Sequence, residues 1–117
     1  MLEEKAKDLG RLIGQSPEYQ ALKRSSEGLN DDKEAVALLQ QMEKLRGEAQ
    51  QLIQRGENPT EQMEQQLDSM LEKIQSQSVY QRAVAAQENF DKLMVRVNQW
   101  IMDGMKKGAA SPIITLS

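Results

Sequence analysis

The chain has 117 residues, no cysteine, no histidine and a net charge of −3, its 15 basic and 18 acidic side chains interspersed along the sequence. That length allows one domain. The missing residue types exclude disulfides, thiolate metal sites, iron–sulfur ligation and catalysis that relies on a cysteine or histidine.

Hydrophobic residues make up 38% and aromatics 3%, so a core built by one chain is thin and made of Leu, Ile, Val, Met and Ala. Gln is abundant and Gly and Pro are scarce, which is helix-forming composition. No basic patch marks a DNA or RNA partner, and no acidic block marks a tail. The start, MLEEKAKDLG, lacks the apolar stretch of a signal peptide. No apolar run approaches the ~20 residues of a membrane span. The expectation is a soluble cytoplasmic protein.

The first helix is expected from about Leu2 to Ile13, with Leu2, Ala6, Leu9 and Ile13 on one face and Leu12 beside it. Gly14 is its stop. Gly10 and Gly14 read as one helical glycine and one cap. Ser16-Pro17-Glu18 then supplies a hydroxyl N-cap, a proline at N1 and an acid in the first turn. The second helix runs to about Glu27, with Tyr19 and Leu22 as its apolar points, and Gly28 ends it.

A third helix follows over about Asp32 to Arg55, capped by Asn30 or Asp31. Its seam is Ala35, Leu38, Met42, Leu45, Ala49 and Leu52, widened by Val36, Leu39 and Ile53. Gly56 takes the C′ position. The turn Gly56-Glu57-Asn58-Pro59 is short, so the fourth helix folds back antiparallel. Asn58 caps that helix, Pro59 opens it and Gln75 closes it, with Met63, Leu67, Met70 and Ile74 at 4-3-4 spacing and Leu71 beside them. Ser76-Gln77-Ser78 breaks the chain before the last helix. The start Gln77-Ser78-Val79-Tyr80-Gln81 resembles Ser16-Pro17-Glu18-Tyr19-Gln20, and two caps with similar needs explain the likeness.

The last helix, about Ser78 to Lys106, organises the rest. Val79, Ala83, Ala86, Phe90, Leu93, Val97 and Trp100 follow each other at 4-3-4-3-4-3 spacing, and Tyr80, Val84, Met94, Ile101 and Met105 widen the face. A helix of about 29 residues is ~43 Å long, against a radius of gyration near ~13 Å for a compact domain of this size. The predicted fold is therefore all-α: an elongated bundle of about five helices with a long C-terminal helix. Residues 1–107 are expected to form a single helical domain and 108–117 a flexible tail, and a dimer is expected. The expected dimer or partner interface is Val79, Ala83, Ala86, Phe90, Leu93, Val97, Trp100, Ile101 and Met105. Trp100 anchors it either as dimer core or as a partner site that Ile113, Ile114 and Leu116 of the tail cover.

No catalytic, cofactor-binding or metal-ligating residue is assigned. Glu61, Glu64, Asp68 and Glu72 could bind a hard cation, but they spread over about three turns of a face expected to be solvated, beside Lys73. There is no Gly-rich phosphate loop. Long thin helices rarely build the pocket that carboxylate acid–base catalysis needs. The chain is read as no enzyme, with no cofactor and no small-molecule substrate.

The order Leu9/Ile13, then Ser16-Pro17-Glu18-Tyr19-Gln20, then Leu29-Asn30-Asp31-Asp32-Lys33-Glu34-Ala35, resembles the YlbF/YheA/YmcA family of small helical bacterial proteins. Val79-Tyr80-Gln81-Arg82-Ala83 and the Phe90-to-Ile101 seam are similar to that family's C-terminal helix. The resemblance covers about Glu3 to Met105. It implies a bundle with long helices, commonly dimeric, and a non-catalytic regulatory role. Some members act in competence, sporulation and biofilm control, within a complex that adjusts an endoribonuclease's RNA processing. Cys-rich ends linked to iron–sulfur clusters in some members do not transfer to a chain without Cys, and the tail departs from theirs.

Function is thus expected as a regulatory adaptor working by helix-mediated protein contacts, on itself, on a related helical protein or on an RNA-processing complex. The alternatives are a self-contained structural homodimer and an RNA-binding accessory protein.

Overall fold

The computed structural model describes residues 1–110. It holds five helices: α1 (Leu2–Gly14), α2 (Pro17–Asp31), α3 (Lys33–Gln54), α4 (Glu61–Gln75) and α5 (Ser78–Ala110). Among the described residues there is no strand. The molecule measures 67 × 37 × 19 Å with a radius of gyration of 21.6 Å, far from the ~13 Å of a compact domain. The elongated all-α architecture predicted from the last helix is what forms.

Most helix starts follow the expected chemistry. Ser16 caps α2 by accepting from the Tyr19 amide at 3.1 Å, with Pro17 at the first helical position. Gly56 has φ +81. Its amide donates to Ile53 O at 3.0 Å, and the Glu57 amide donates to Leu52 O at 2.8 Å. That is the paired closure of a helix that ends on a left-handed glycine, and it turns the chain from α3 toward α4.

Between the first and last helices three boundaries differ from the sequence reading. Gly28 does not end α2, which runs on through Asp31. A helical glycine costs only about 1 kcal/mol, and the added turn carries Leu29 into contact with the core. Asp32, rather than Asn30 or Asp31, caps α3, accepting from the Ala35 amide at 2.9 Å. Thr60, rather than Asn58, caps α4, accepting from the Met63 amide at 3.2 Å. Pro59 therefore lies before α4, not inside it, and an available hydroxyl one residue further on takes the cap.

The core sits where four helix ends meet. Ala35 and Ile74 are fully buried and Met42 nearly so, with Leu29, Leu38, Leu39, Met70, Val79 and Tyr80 packed around them. α3 and α4 form the expected antiparallel hairpin: Gln41 to Glu48 on one helix line a groove with Gln66 to Lys73 on the other. α2 runs antiparallel along α5. Glu18 and Tyr19, at its start, lie beside Arg96 and Phe90, whereas Arg24 to Gly28 lie beside Val79, Arg82 and Ala86.

Candidate functional site

α5 spans 33 residues, or about 50 Å. α2 is less than half that length. Their shared seam is therefore covered over part of α5 and bare over the rest. Ala86 is 7% exposed and Val97 3%. Val79, Ala83, Phe90 and Leu93 are half-buried along the same seam.

The Tyr19 ring meets the Phe90 ring edge-on, with centroids 5.7 Å apart and planes at 61°. This geometry sets the positive edge of one ring toward the negative face of the other. Further along α5, Glu18 reaches Arg96 at 3.5 Å. Both contacts lie at the N-terminal end of α2, so they mark where intramolecular cover stops.

Beyond Val97 the seam continues without that cover. Trp100 is 60% exposed, Ile101 43%, Met102 56% and Met105 67%. The nine residues expected at an interface thus fall into two groups: Val79, Ala83, Ala86, Phe90, Leu93 and Val97 pack within the chain, whereas Trp100, Ile101 and Met105 face outward. α5 also continues past Lys107 through Gly108, Ala109 and Ala110, so the regular helix carries three residues expected in the tail. The expected role of Ile113, Ile114 and Leu116 lies outside the described residues.

A second bare surface went unassigned in the sequence. α1 has no fully buried residue: Leu9 and Ile13 are half-buried, whereas Leu2 is 85% and Leu12 65% exposed. The signal was present as an apolar face with no helix assigned to cover it.

The α4 carboxylates Glu61, Glu64, Asp68 and Glu72 are all exposed, and no group of three or more potential metal ligands occurs among the described residues. No helix among those residues is long and apolar enough to cross a membrane.

An elongated α-helical protein that displays an uncovered apolar helix end is the class this geometry defines. Residues 2–106 match the family model described as control of competence regulator ComK, YlbF/YmcA, and the chain belongs to that family. Similar proteins include the UPF0342 protein of Streptococcus sanguinis, 30% identical over 98 residues, covering 84% of this chain and 88% of that protein. The UPF0342 protein of Streptococcus gordonii is 34% identical over 74 residues, covering 63% of this chain and 66% of that protein. The solved structure titled Protein of Unknown Function (DUF964) from Bacillus stearothermophilus superposes with a TM-score of 0.66 at 20% identity, covering 95% of this chain and 97% of that one. That likeness shows a shared fold.

Proposed function

We propose that this chain is a non-catalytic regulatory adaptor of the YlbF/YmcA type, acting in the cytoplasm by helix-to-helix contact, with the bare C-terminal end of α5 as its contact surface. The observation that carries this reading is Trp100, 60% exposed on a helix whose seam is packed as far as Val97. A large ring buries much area at little entropic cost and is a frequent interface anchor. Met102 and Met105 add flexible side chains that adapt to differently shaped partners. The family description supplies the setting, control of a competence regulator, and the partners proposed here are a second copy, a related helical protein or a complex that processes RNA.

The test is a Trp100→Glu, Met105→Glu double variant. Both side chains are exposed, so helicity by circular dichroism stays at the wild-type level. Proteins captured by the wild-type chain from its own cell extract should be lost. Capture of the same proteins at the same yield by the variant would move the contact surface elsewhere.

A further inference from the structure

We propose that the groove between α2 and α5 binds an acidic amphipathic helix of a partner protein, seated between Arg24 and Arg82 at one end and Lys92 and Arg96 at the other. This surface is separate from the bare end of α5 and does not depend on it.

Pro17, Ala21, Arg24 and Gly28 follow each other at 4-3-4 spacing along one side of α2. Arg82, Asn89 and Arg96 recur every seven residues along α5. At one end Arg24 and Gly28 face Arg82 and Ala86 across the groove. At the other Pro17 and Ala21 face Asn89, Lys92 and Arg96. Ala21 lines both stretches, so they join. From Val79 to Arg96 the groove is about 26 Å long, which fits a helix of about 17 residues.

Four cations line this groove, Arg24, Arg82, Lys92 and Arg96, against one acid, Glu18. The whole chain carries a net charge of −3, so charge of the opposite sign is gathered here. Arg96 pairs with Glu18 at 3.5 Å. Arg24, Arg82 and Lys92 are exposed and have no ion-pair partner among the described residues. These cations come from two helices far apart in the sequence, so no basic run marks them there. A groove of this sign attracts an acidic partner and fixes its register.

Between the cations the floor is small and aliphatic. Ala21, Val79 and Ala86 line it, and Val95 is 57% exposed at the far end. Ser25 Oγ donates to Leu22 O at 3.1 Å, so that hydroxyl is already used within α2. Gly28 has nothing within 4 Å of where a Cβ would stand. A glycine inside a helix is destabilising, and packing within the chain gives no reason for this one. Close approach of a second backbone does. An apolar helix stripe with acids on both flanks matches this floor and these walls. Single-stranded RNA calls for aromatic faces on which bases stack. Among the described residues no aromatic ring lines the groove; Tyr19 and Phe90 of the same helices meet each other instead.

The probe is a fluorescein-labelled peptide of about 17 residues, a Leu/Ala stripe flanked by Glu, read by fluorescence anisotropy against the full-length chain. It should bind at least about tenfold more tightly than the same peptide with Lys for Glu, and weaken as salt rises. An Arg24→Glu, Arg82→Glu double variant should lose about tenfold or more in affinity at unchanged helicity, since both side chains are exposed. Gly28→Ala should weaken the peptide several-fold while its melting temperature stays at or above that of the wild type, which separates docking from stability. The Trp100→Glu, Met105→Glu variant should bind the peptide as the wild type does.

Equal binding of the two peptides, or an arginine variant that keeps full affinity, overturns the proposal. Tighter binding of an oligouridylate, abolished in the arginine variant, makes the groove a nucleic-acid site instead. A lower sedimenting mass for the arginine variant shows that a second copy fills the groove. Loss of the peptide in the Trp100→Glu, Met105→Glu variant moves its site to the end of α5, which rejects the groove and leaves the adaptor reading standing.

Discussion

Gln20 donates its side-chain amide to the carbonyl of Gly14 across the α1–α2 corner, at 2.8 Å. Gln81 does the same to Gln75 across the α4–α5 corner, at 2.7 Å. The main chain repeats as well: the Ser16 amide donates to Ile13 O, as the Gln77 amide does to Ile74 O, both at 3.1 Å. The likeness of Ser16–Gln20 to Gln77–Gln81 is therefore one capping device used twice. In each case a glutamine from the new helix satisfies a carbonyl left open at the end of the old one.

Replacing either glutamine should loosen its corner modestly. Gln20→Ala and Gln81→Ala are each expected to cost about 0.5–1.5 kcal/mol, the net worth of one hydrogen bond. The denaturation midpoint in urea measures this, and an unchanged midpoint for both would show that the corners hold without them.

The ring pair at the start of α2 is open to a double-mutant cycle. Tyr19→Ala, Phe90→Ala and the double variant should give a coupling of roughly 0.5–1.5 kcal/mol. Strict additivity would mean that the two rings contribute only through separate burial. The neighbouring Glu18–Arg96 pair, with side chains 28% and 55% exposed, should couple by no more than about 1 kcal/mol and weaken as salt rises.

Ile74 is fully buried at the junction of the helix ends. Ile74→Ala should cost about 2–5 kcal/mol, a large part of the stability of a domain this size. The expected readout is a melting temperature lowered by many degrees with residual helicity. A shift smaller than that of the corner variants would relocate the core.

Two glycines should respond in opposite directions. Gly56 has φ +81, so Gly56→Ala forces a side chain into the left-handed region at a cost of about 1–2 kcal/mol. Gly28 is helical with nothing near its missing Cβ, and Gly28→Ala should stabilise by about 0.5–1 kcal/mol. Thermal melts of the two variants should move apart from the wild type in those two directions.

Chelation should leave the melting temperature where it was, because the four α4 carboxylates stand exposed on the helix surface. A drop of several degrees on adding EDTA would mark these carboxylates as a stabilising cation site.

Helix existence was legible because it depends on short-range pattern. The 3-4 spacing from Ala35 to Leu52 and the Ser16-Pro17 start act within a few residues of themselves, as does the left-handed need at Gly56. The boundaries that shifted, at Gly28 and Thr60, were those where more than one residue within a turn could serve the same local purpose. At Gly28 the burial of Leu29 against distant Ala35 and Ile74 decided the outcome.

The seam of α5 was equally legible from Val79 to Met105, since periodicity along one helix needs no knowledge of its neighbours. Which part of it stays bare was not. That followed from α2 lying antiparallel with its start at Phe90 and Arg96. Periodicity marks the face a helix must bury; only the length and direction of the helix laid against it decide where the cover ends, and here it ends between Val97 and Trp100.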